Sequence, residues 1–187
     1  MKKVILNQEV LYYDFVNCPK GYEIDRHQIR HEMMWGYLNS KKEHPTLTQY
    51  PMRHCLSFDY LGEYIRDFLG QAVEHQFKLV FKQRFGYILK QDEYVASRND
   101  IDILDIKASP VYTLVYGVEL EDHSSNLIIH HNIKKTPNCT WSIPMQNNKF
   151  IIFPSHLNYE ITSNNSKLNS FYLIQTYDEV IYGNKGA

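Results

Sequence analysis

The pattern that most restricts the fold is an alternation of apolar and polar residues that begins at residue 77 and continues through most of the remaining chain. Such alternation predicts strands, because successive side chains of a strand point to opposite faces of a sheet. The predicted strands, in chain order, are FKLVFKQ, FGYILKQ, IDILDIK, VYTLVYGVEL, NLIIHHNI, CTWSI, KFIIF, LNYEI and LNSFYLIQTY. Short polar or proline-containing turns separate them and no helical segment intervenes, so a β-sandwich or barrel is predicted.

The part of the chain before this alternation combines strands and helices. Short strands are predicted over 3–6 and 9–16, followed by a helix over 22–38 and a polar loop over 39–54. The clearest helix covers 58–76, where apolar residues recur every three or four positions and form one stripe. We expect that stripe to pack on one face of the sheet.

The chain, 1–187, is predicted to be a single domain. Its 43% hydrophobic and 22% charged residues are ordinary for a globular protein with a buried core. Residues 1–76 supply the N-terminal strands and helices, 77–182 form the sandwich, and the glycine-containing segment 183–187 is predicted to be a flexible tail.

Charge and cysteine usage exclude some classes of partner. The formal net charge is −1 and the basic residues are spread along the chain, whereas a nucleic-acid surface needs clustered cations. No apolar run approaches the roughly 20 residues that cross a bilayer, so no membrane partner is predicted. The apolar run within the first ten residues, MKKVILNQEV, is too short for a signal peptide. Cys18, Cys55 and Cys139 are odd in number, which favours reduced thiols and a cytoplasmic location.

Aromatic residues indicate large contact surfaces. The chain contains fifteen tyrosines, a residue type favoured both in strands and at protein interfaces. Met33, Met34 and Trp35 are consecutive in a predicted helix, so they cannot all face one core. We therefore predict that they form an interface with other protein subunits in a larger assembly.

Histidine spacing does not predict a standard metal site. His27 and His31 lie at i and i+4 of the first predicted helix, but Gln28 follows the first histidine where metalloproteases have glutamate. His130 and His131 are neighbours in a predicted strand and point to opposite faces, so they cannot chelate one ion together. The simpler interpretation of each pair is as ordinary polar residues.

Nucleophilic catalysis is not predicted either. Ser155 and His156 are adjacent in sequence, which is poor geometry for a nucleophile and its base, and no G-x-S-x-G elbow is present. The glycines form no phosphate-binding loop. No catalytic residue is therefore assigned.

Three local patterns resemble the non-haem iron, 2-oxoglutarate-dependent oxygenases, in particular the short phage-type members. They are VYGVEL at 115–120, NKFIIFPS at 148–155 and SKLNSF at 166–171, which are similar in order and spacing to a core strand, a strand with a corner, and a closing strand of that family. The resemblance implies an α+β, mainly β fold, a double-stranded β-helix (a jelly-roll or cupin-like sandwich) with N-terminal helices packed on the major sheet.

The resemblance also implies where an iron site would lie. Family members place an H-x-[DH] element before the core strand and a second histidine two or three residues after the corner, because Fe(II) takes two histidines and one carboxylate. Alignment of the patterns puts Lys107, Ser109 and Tyr159 at these ligand positions, and Lys167 at the arginine that pairs with 2-oxoglutarate. His156 lies three residues too early. The metal-ligand motif is thus degenerate, and neither a metal nor another cofactor is predicted.

Three functions remain open. The first is a catalytically inactive oxygenase fold used as a structural or interaction module, with the phage-type resemblance implying a tailed-phage virion component in the neck, tail or baseplate, made in the host cytoplasm. The second is an active Fe(II)/2-oxoglutarate-dependent dioxygenase, similar to a prolyl hydroxylase, whose ligands are misaligned here. The third is a jelly roll that binds a small anion or sugar in a pocket formed by Lys107, Tyr159 and Lys167.

Overall fold

The structure is a computed structural model, and it describes residues 2–6, 9–17, 23–39, 52–72, 77–133 and 136–181. In the described residues the strands are β1 (Lys2–Leu6), β2 (Glu9–Phe15), β3 (Phe77–Leu89), β4 (Val95–Arg98), β5 (Tyr112–Glu119), β6 (Asn126–Ile133), β7 (Thr136–Pro144), β8 (Lys149–Pro154), β9 (Tyr159–Ile161) and β10 (Ser170–Ile181). The helices are α1 (Arg26–Asn39) and α2 (Leu56–Ala72). The tail predicted over 183–187 and most of the loop predicted over 39–54 lie outside the described residues.

The strands form two antiparallel sheets. The major sheet has six strands in the order β1-β2-β8-β5-β10-β3, and the minor sheet has four in the order β4-β9-β6-β7. One core holds buried residues of both sheets, among them Leu11, Tyr87, Val115, Leu127, Ile151, Phe153, Tyr159, Tyr172 and Ile174. The predicted mainly β sandwich is therefore confirmed.

Both helices pack on the outer face of the major sheet, as predicted. Their buried side chains include Ile29 of α1 and Phe58 of α2, which belong to the same apolar cluster as Tyr116 and Leu173 of the sheet. Alternation along β5 explains the arrangement, because Tyr116 faces the helices while its neighbour Val115 faces the minor sheet. Neither of the described helices is long and apolar enough to cross a membrane.

Helix α1 begins later than the sequence pattern suggests. It starts at Arg26, not at residue 22, because the side chain of Asp25 accepts a hydrogen bond from the backbone N–H of His27 at 2.8 Å. An aspartate in this position satisfies a donor that the first helical turn leaves unpaired. Helix α2 covers Leu56–Ala72, where the prediction was 58–76.

One predicted strand was wrong and one strand was missed, and both errors affect the site described below. The segment IDILDIK is an irregular loop with a 3-10 turn at Ile106–Ala108, and β4 was not predicted at all. The Asp102 side chain accepts a hydrogen bond from the N–H of Leu104 at 2.9 Å, and the Ser109 hydroxyl accepts one from the N–H of Asp102 at 2.7 Å. Local side-chain acceptors of this kind compete with strand pairing for the backbone donors. In addition, FKLVFKQ and FGYILKQ are not separate strands but one long strand, β3.

Candidate functional site

A buried polar cluster lies at the end of β4, between the two sheets. Arg98 Nη2 lies 2.9 Å from Asp100 Oδ1, and Arg98 Nη1 donates a hydrogen bond to the Tyr87 hydroxyl at 2.9 Å. The Asp100 side chain is only 4% exposed, whereas that of Arg98 is 39% exposed. The carboxylate is thus buried, with the arginine as its counter-charge at the protein surface.

Hydrogen bonds also connect Asp100 to residues in or next to strands of the major sheet. The Thr113 hydroxyl of β5 donates to Asp100 Oδ2 at 2.8 Å, and it lies 2.9 Å from the Ser155 hydroxyl, just after β8. The backbone N–H of Asp100 donates to the carbonyl of Ser155 at 3.2 Å. Both carboxylate oxygens of Asp100 therefore already accept a charged or hydroxyl donor.

Tyr159 of β9 completes the cluster from the minor sheet. It is fully buried, and its ring lies 5.4 Å from that of Phe153. Burial raises the pKa of Tyr159 well above its usual value, and the nearby charge of Asp100 raises it further. The neighbouring Tyr87 also raises the pKa of Tyr159. Tyr159 is therefore a neutral phenol at physiological pH.

These residues do not fit an iron ion. Fe(II) needs side chains that donate lone pairs, and a guanidinium has only N–H donors and a positive charge. Asp100 is already engaged, and Tyr159 retains its proton. Across the described residues, no group of three or more His, Cys, Asp or Glu side chains is arranged to hold a metal ion.

The residues aligned with the ligand positions from sequence lie in different surroundings. Lys107 is exposed on the 3-10 turn, and Lys167 is exposed in the loop before β10, while Tyr159 is buried. Ser109 is buried, and its hydroxyl bonds to backbone atoms of Asp102 and of Asp105 within its own loop. In the predicted anion pocket, Lys107 and Lys167 are therefore exposed, whereas Tyr159 is buried.

Sequence reasoning missed Arg98 and Asp100, which the structure places beside Tyr159. They were overlooked because β4 is short and has a single buried side chain, Val95, so no alternation marks it. One signal was present in the sequence. Arg98-Asn99-Asp100 has the i, i+2 spacing of the H-x-[DH] element, and it precedes the core strand β5.

His27, His31 and His156 have exposed side chains. His27 and His31 are exposed on α1, and His31 Nδ1 lies 3.3 Å from the carboxylate of its neighbour Glu32. The exposed His156 lies 3.2 Å from a carboxylate oxygen of Glu9. His156 is therefore a surface turn residue and not part of the buried cluster.

Of the interface predicted on α1, the structure contradicts the part assigned to Met33, while a contact through Met34 and Trp35 stays a prediction. Met33 is fully buried in the helix–sheet core, where its side chain is not accessible to a partner. Met34 is partly buried and packs against the same core, and the Trp35 ring is covered by the Arg53 guanidinium at 4.6 Å. Among the described residues the most exposed large apolar side chains are in the loop after Asp100, where Ile103 is 84% and Leu104 97% exposed, although Leu38 of α1 is also 72% exposed.

Comparison with known proteins relates the chain to others through its fold. No protein-family model matches the sequence, and no curated protein matches it. Among solved structures, it is similar to the non-heme alpha-ketoglutarate-dependent carbocyclase SnoK of nogalamycin biosynthesis, with a TM-score of 0.62, 6% identity, and coverage of 94% of this chain and 83% of that one. The fold is that of the 2-oxoglutarate-dependent oxygenases.

Two further oxygenase structures are similar to it. The viral collagen prolyl hydroxylase vCPH from Paramecium bursaria Chlorella virus-1 has a TM-score of 0.61 at 14% identity, with coverage of 91% of this chain and 97% of that one. A 2OG-Fe(II) oxygenase-family oxidoreductase from Burkholderia pseudomallei has a TM-score of 0.48 at 11% identity, with coverage of 66% of this chain. The chain spans only 58% of the length of that protein. At these identities the similarity to SnoK and vCPH establishes the double-stranded β-helix and not an activity.

Proposed function

We propose that this protein is a catalytically inactive member of the oxygenase fold that acts as an interaction module with other protein subunits. The observation that supports this is the ion pair of Arg98 and Asp100 beside the neutral Tyr159. Arg98 and Asp100 have the spacing and the place of the H-x-[DH] element, and Tyr159 follows the Phe-Pro-Ser corner as the second histidine would. The guanidinium thus contributes a fixed positive charge where the enzymes need a neutral ligand to a cation.

Titration tests whether the protein has lost the binding of iron and 2-oxoglutarate that an oxygenase needs. Anaerobic addition of Fe(II) and 2-oxoglutarate to the purified protein is expected to give neither a visible charge-transfer band nor a rise in melting temperature. A band that requires both additions would overturn the proposal and favour the active Fe(II)/2-oxoglutarate-dependent dioxygenase. At present only the similarity of fold supports that alternative.

A gain-of-function variant tests the ligand assignment. Arg98→His together with Tyr159→His restores two imidazoles around the existing carboxylate, and it is expected to bind Co(II) with the visible absorption of a coordinated ion. The same double variant carrying Asp100→Asn is the matched control and should bind at least about tenfold more weakly. A folded double variant, checked by circular dichroism, that shows no Co(II) absorption would contradict the assignment.

The interaction role is supported by the apolar loop that follows the cluster. Ile103, Leu104 and Ile106 are 84%, 97% and 70% exposed. The side chains of Asp102 and Ser109 accept hydrogen bonds from backbone N–H groups of the loop and so fix its conformation. Large exposed apolar patches are rare on monomeric proteins and often mark sites of contact with another protein.

Serine substitutions at the loop test this role. Ile103→Ser with Leu104→Ser leaves the hydrogen-bonded backbone intact, and it is expected to lower association in sedimentation velocity experiments relative to the unmodified chain. A chain that stays monomeric over the whole concentration range, and that does not sediment with phage particles when produced in infected cells, would contradict the interaction role. Sedimentation with particles would support the virion placement, which rests on the phage-type resemblance.

Binding of a small anion or sugar by Lys107, Tyr159 and Lys167 is the remaining alternative. Both lysines are exposed, so a ligand there would lie at the surface and not against the buried phenol. A rise in melting temperature with an anionic metabolite that is lost in Lys167→Ala would favour it.

A further inference from the structure

A pocket lies on the opposite face of the major sheet from the Arg98 cluster, under α2. Its volume is about 340 Å³, which is within the usual range for small-molecule sites. The pocket is lined by side chains of α2, β3 and β10, including Phe58, Arg66, Leu79, Phe81, Arg84 and Tyr177. Because Phe58 and Tyr177 belong to the helix-side core, this pocket is separate from the Arg98 cluster between the sheets.

Arg84 is the main positive charge of the pocket. Its guanidinium carbon lies 4.0 Å from the centre of the Phe58 ring and 4.7 Å from that of Phe81. It forms no ion pair with any described carboxylate, and burial lowers the pKa of Arg84 from its usual value. The nearby charge of Asp59 acts to raise this pKa, but the Asp59 carboxylate is paired with His54. A partly buried guanidinium with no carboxylate directly paired to it among the described residues would be stabilised by a bound anion.

Neighbouring amide and hydroxyl groups orient this guanidinium. The Gln175 side-chain amide is oriented so that its oxygen accepts hydrogen bonds from Arg84 Nε at 2.9 Å and from Arg84 Nη2 at 3.2 Å. In this orientation the amide nitrogen of Gln175 donates to the Tyr177 hydroxyl at 2.6 Å. Gln175 is fully buried, so this support is rigid. The guanidinium therefore donates its described hydrogen bonds to a neutral amide.

Arg66 of α2 lines the same pocket and has no ion-pair or hydrogen-bond partner in the described part of the chain. Burial raises the pKa of Tyr177, while Arg84 and Arg66 both act to lower it, as expected if both guanidiniums are near its hydroxyl. Acidic groups are also present. Asp59 is paired with His54 at 2.7 Å, and Glu63 is exposed at the rim.

We propose that this pocket binds the carboxylate of a small organic acid, with Arg84 and Arg66 on the carboxylate and Phe81 and Leu79 against an apolar body. Arginine suits this task because its planar fork donates two parallel hydrogen bonds to a carboxylate. The pocket is separate from the Arg98 cluster on which the proposed function rests, since it lies on the other face of the major sheet.

Three probes define the ligand class by isothermal titration calorimetry. Benzoate carries the carboxylate and an apolar ring, benzamide is its uncharged equivalent, and inorganic phosphate is an oxyanion without an apolar part. We expect benzoate to bind with a millimolar or lower Kd, and benzamide and phosphate to bind at least about tenfold more weakly. Equal affinity for benzoate and benzamide, or tighter binding of phosphate, would overturn the proposal.

Variants locate the binding at the pocket. Arg66→Gln removes a partly exposed charge, and Arg84→Lys keeps the charge but loses the fork, so each is expected to weaken benzoate binding about tenfold or more. Arg30→Gln, which removes an exposed arginine of α1 paired with Glu119, is the matched control and should leave the affinity unchanged. Benzoate affinity within twofold of the unmodified chain in both folded pocket variants would contradict the proposal.

A blocking variant gives an independent check that leaves the charges in place. A Cβ at Gly62 of α2 would lie 3.7 Å from the Tyr177 hydroxyl, so Gly62→Leu directs a larger side chain into the pocket. It is expected to abolish benzoate binding without loss of helix. Unchanged affinity in this variant would place benzoate elsewhere and overturn the proposal.

Discussion

Arg98 and Asp100 form an ion pair of 2.9 Å in which the carboxylate side chain is 4% exposed and the guanidinium 39% exposed. Asp100 is buried as a charge because Arg98 and the Thr113 hydroxyl together replace the water that it loses. The same arginine donates to Tyr87, so it connects β4 of the minor sheet to β3 of the major sheet. The cluster thus joins the two sheets.

Removal of Arg98 is expected to destabilise the fold. In Arg98→Gln the buried Asp100 loses its counter-charge, and because the arginine is partly exposed we expect a loss of about 2–3 kcal/mol in the free energy of unfolding. Urea unfolding monitored by circular dichroism measures it as a lower midpoint at constant slope. Arg30→Gln is the control, since its pair with Glu119 has a similar distance of 3.1 Å but is 44% and 42% exposed, and it should change stability by less than about 1 kcal/mol. Equal losses in the two variants would show that burial of Asp100 has no energetic importance.

Gly117 of β5 is expected to tolerate no side chain. A Cβ at this position would lie 2.3 Å from the backbone oxygen of Gln146 and 2.9 Å from the Leu120 side chain. Gly117→Ala therefore forces the backbone to move, and we expect a loss of roughly 3 kcal/mol or more in thermal or urea unfolding.

Gly70 in α2 is the matched control, because a Cβ there meets no atom within 4 Å. Gly70→Ala should stabilise the protein by about 0.5–1 kcal/mol through helix propensity. If both alanine variants changed stability in the same direction, the close approach at Gly117 would not be the cause.

Stability is expected to fall in alkali because of buried tyrosines. Burial raises the pKa of the fully buried Tyr172 to about 12, although its hydrogen bond with Ser125 opposes the shift. In the unfolded chain a tyrosine titrates near 10, so above that pH the unfolded state holds fewer protons and gains stability relative to the folded state. The contribution of Tyr172 is therefore complete below about pH 10 and is lost between about pH 10 and 12, up to about 2–3 kcal/mol.

Tyr172→Phe tests this pH dependence. The variant should lose about 1 kcal/mol at neutral pH with its hydrogen bond, and it should show a shallower decline in urea midpoint between pH 10 and 12. Tyr94→Phe, at a residue that is 61% exposed, is the control and should leave the slope unchanged. If the urea midpoint of Tyr172→Phe fell as steeply between pH 10 and 12 as that of the unmodified chain, ionisation of Tyr172 would not be the cause of the decline.

Local sequence pattern determined most of the framework. Alternation identified β5, β8 and β10, and the apolar stripe of 58–76 identified α2 and its place on the sheet. The resemblance of 148–155 to an oxygenase strand and corner predicted the double-stranded β-helix. These features were predictable because periodicity and turn chemistry are set by residues a few positions apart.

Tertiary structure alone decided the site. Val95–Arg98 is a strand because it pairs with Tyr159–Ile161, a segment far along the chain, and that pairing leaves no periodic signal in four residues. IDILDIK alternates like a strand, yet Asp102 and Ser109 satisfy its backbone locally and leave Leu104 in solvent. The meeting of Arg98, Asp100 and Tyr159 depends on contacts between distant segments, and such contacts are settled by packing of the whole chain rather than by any local stretch of sequence.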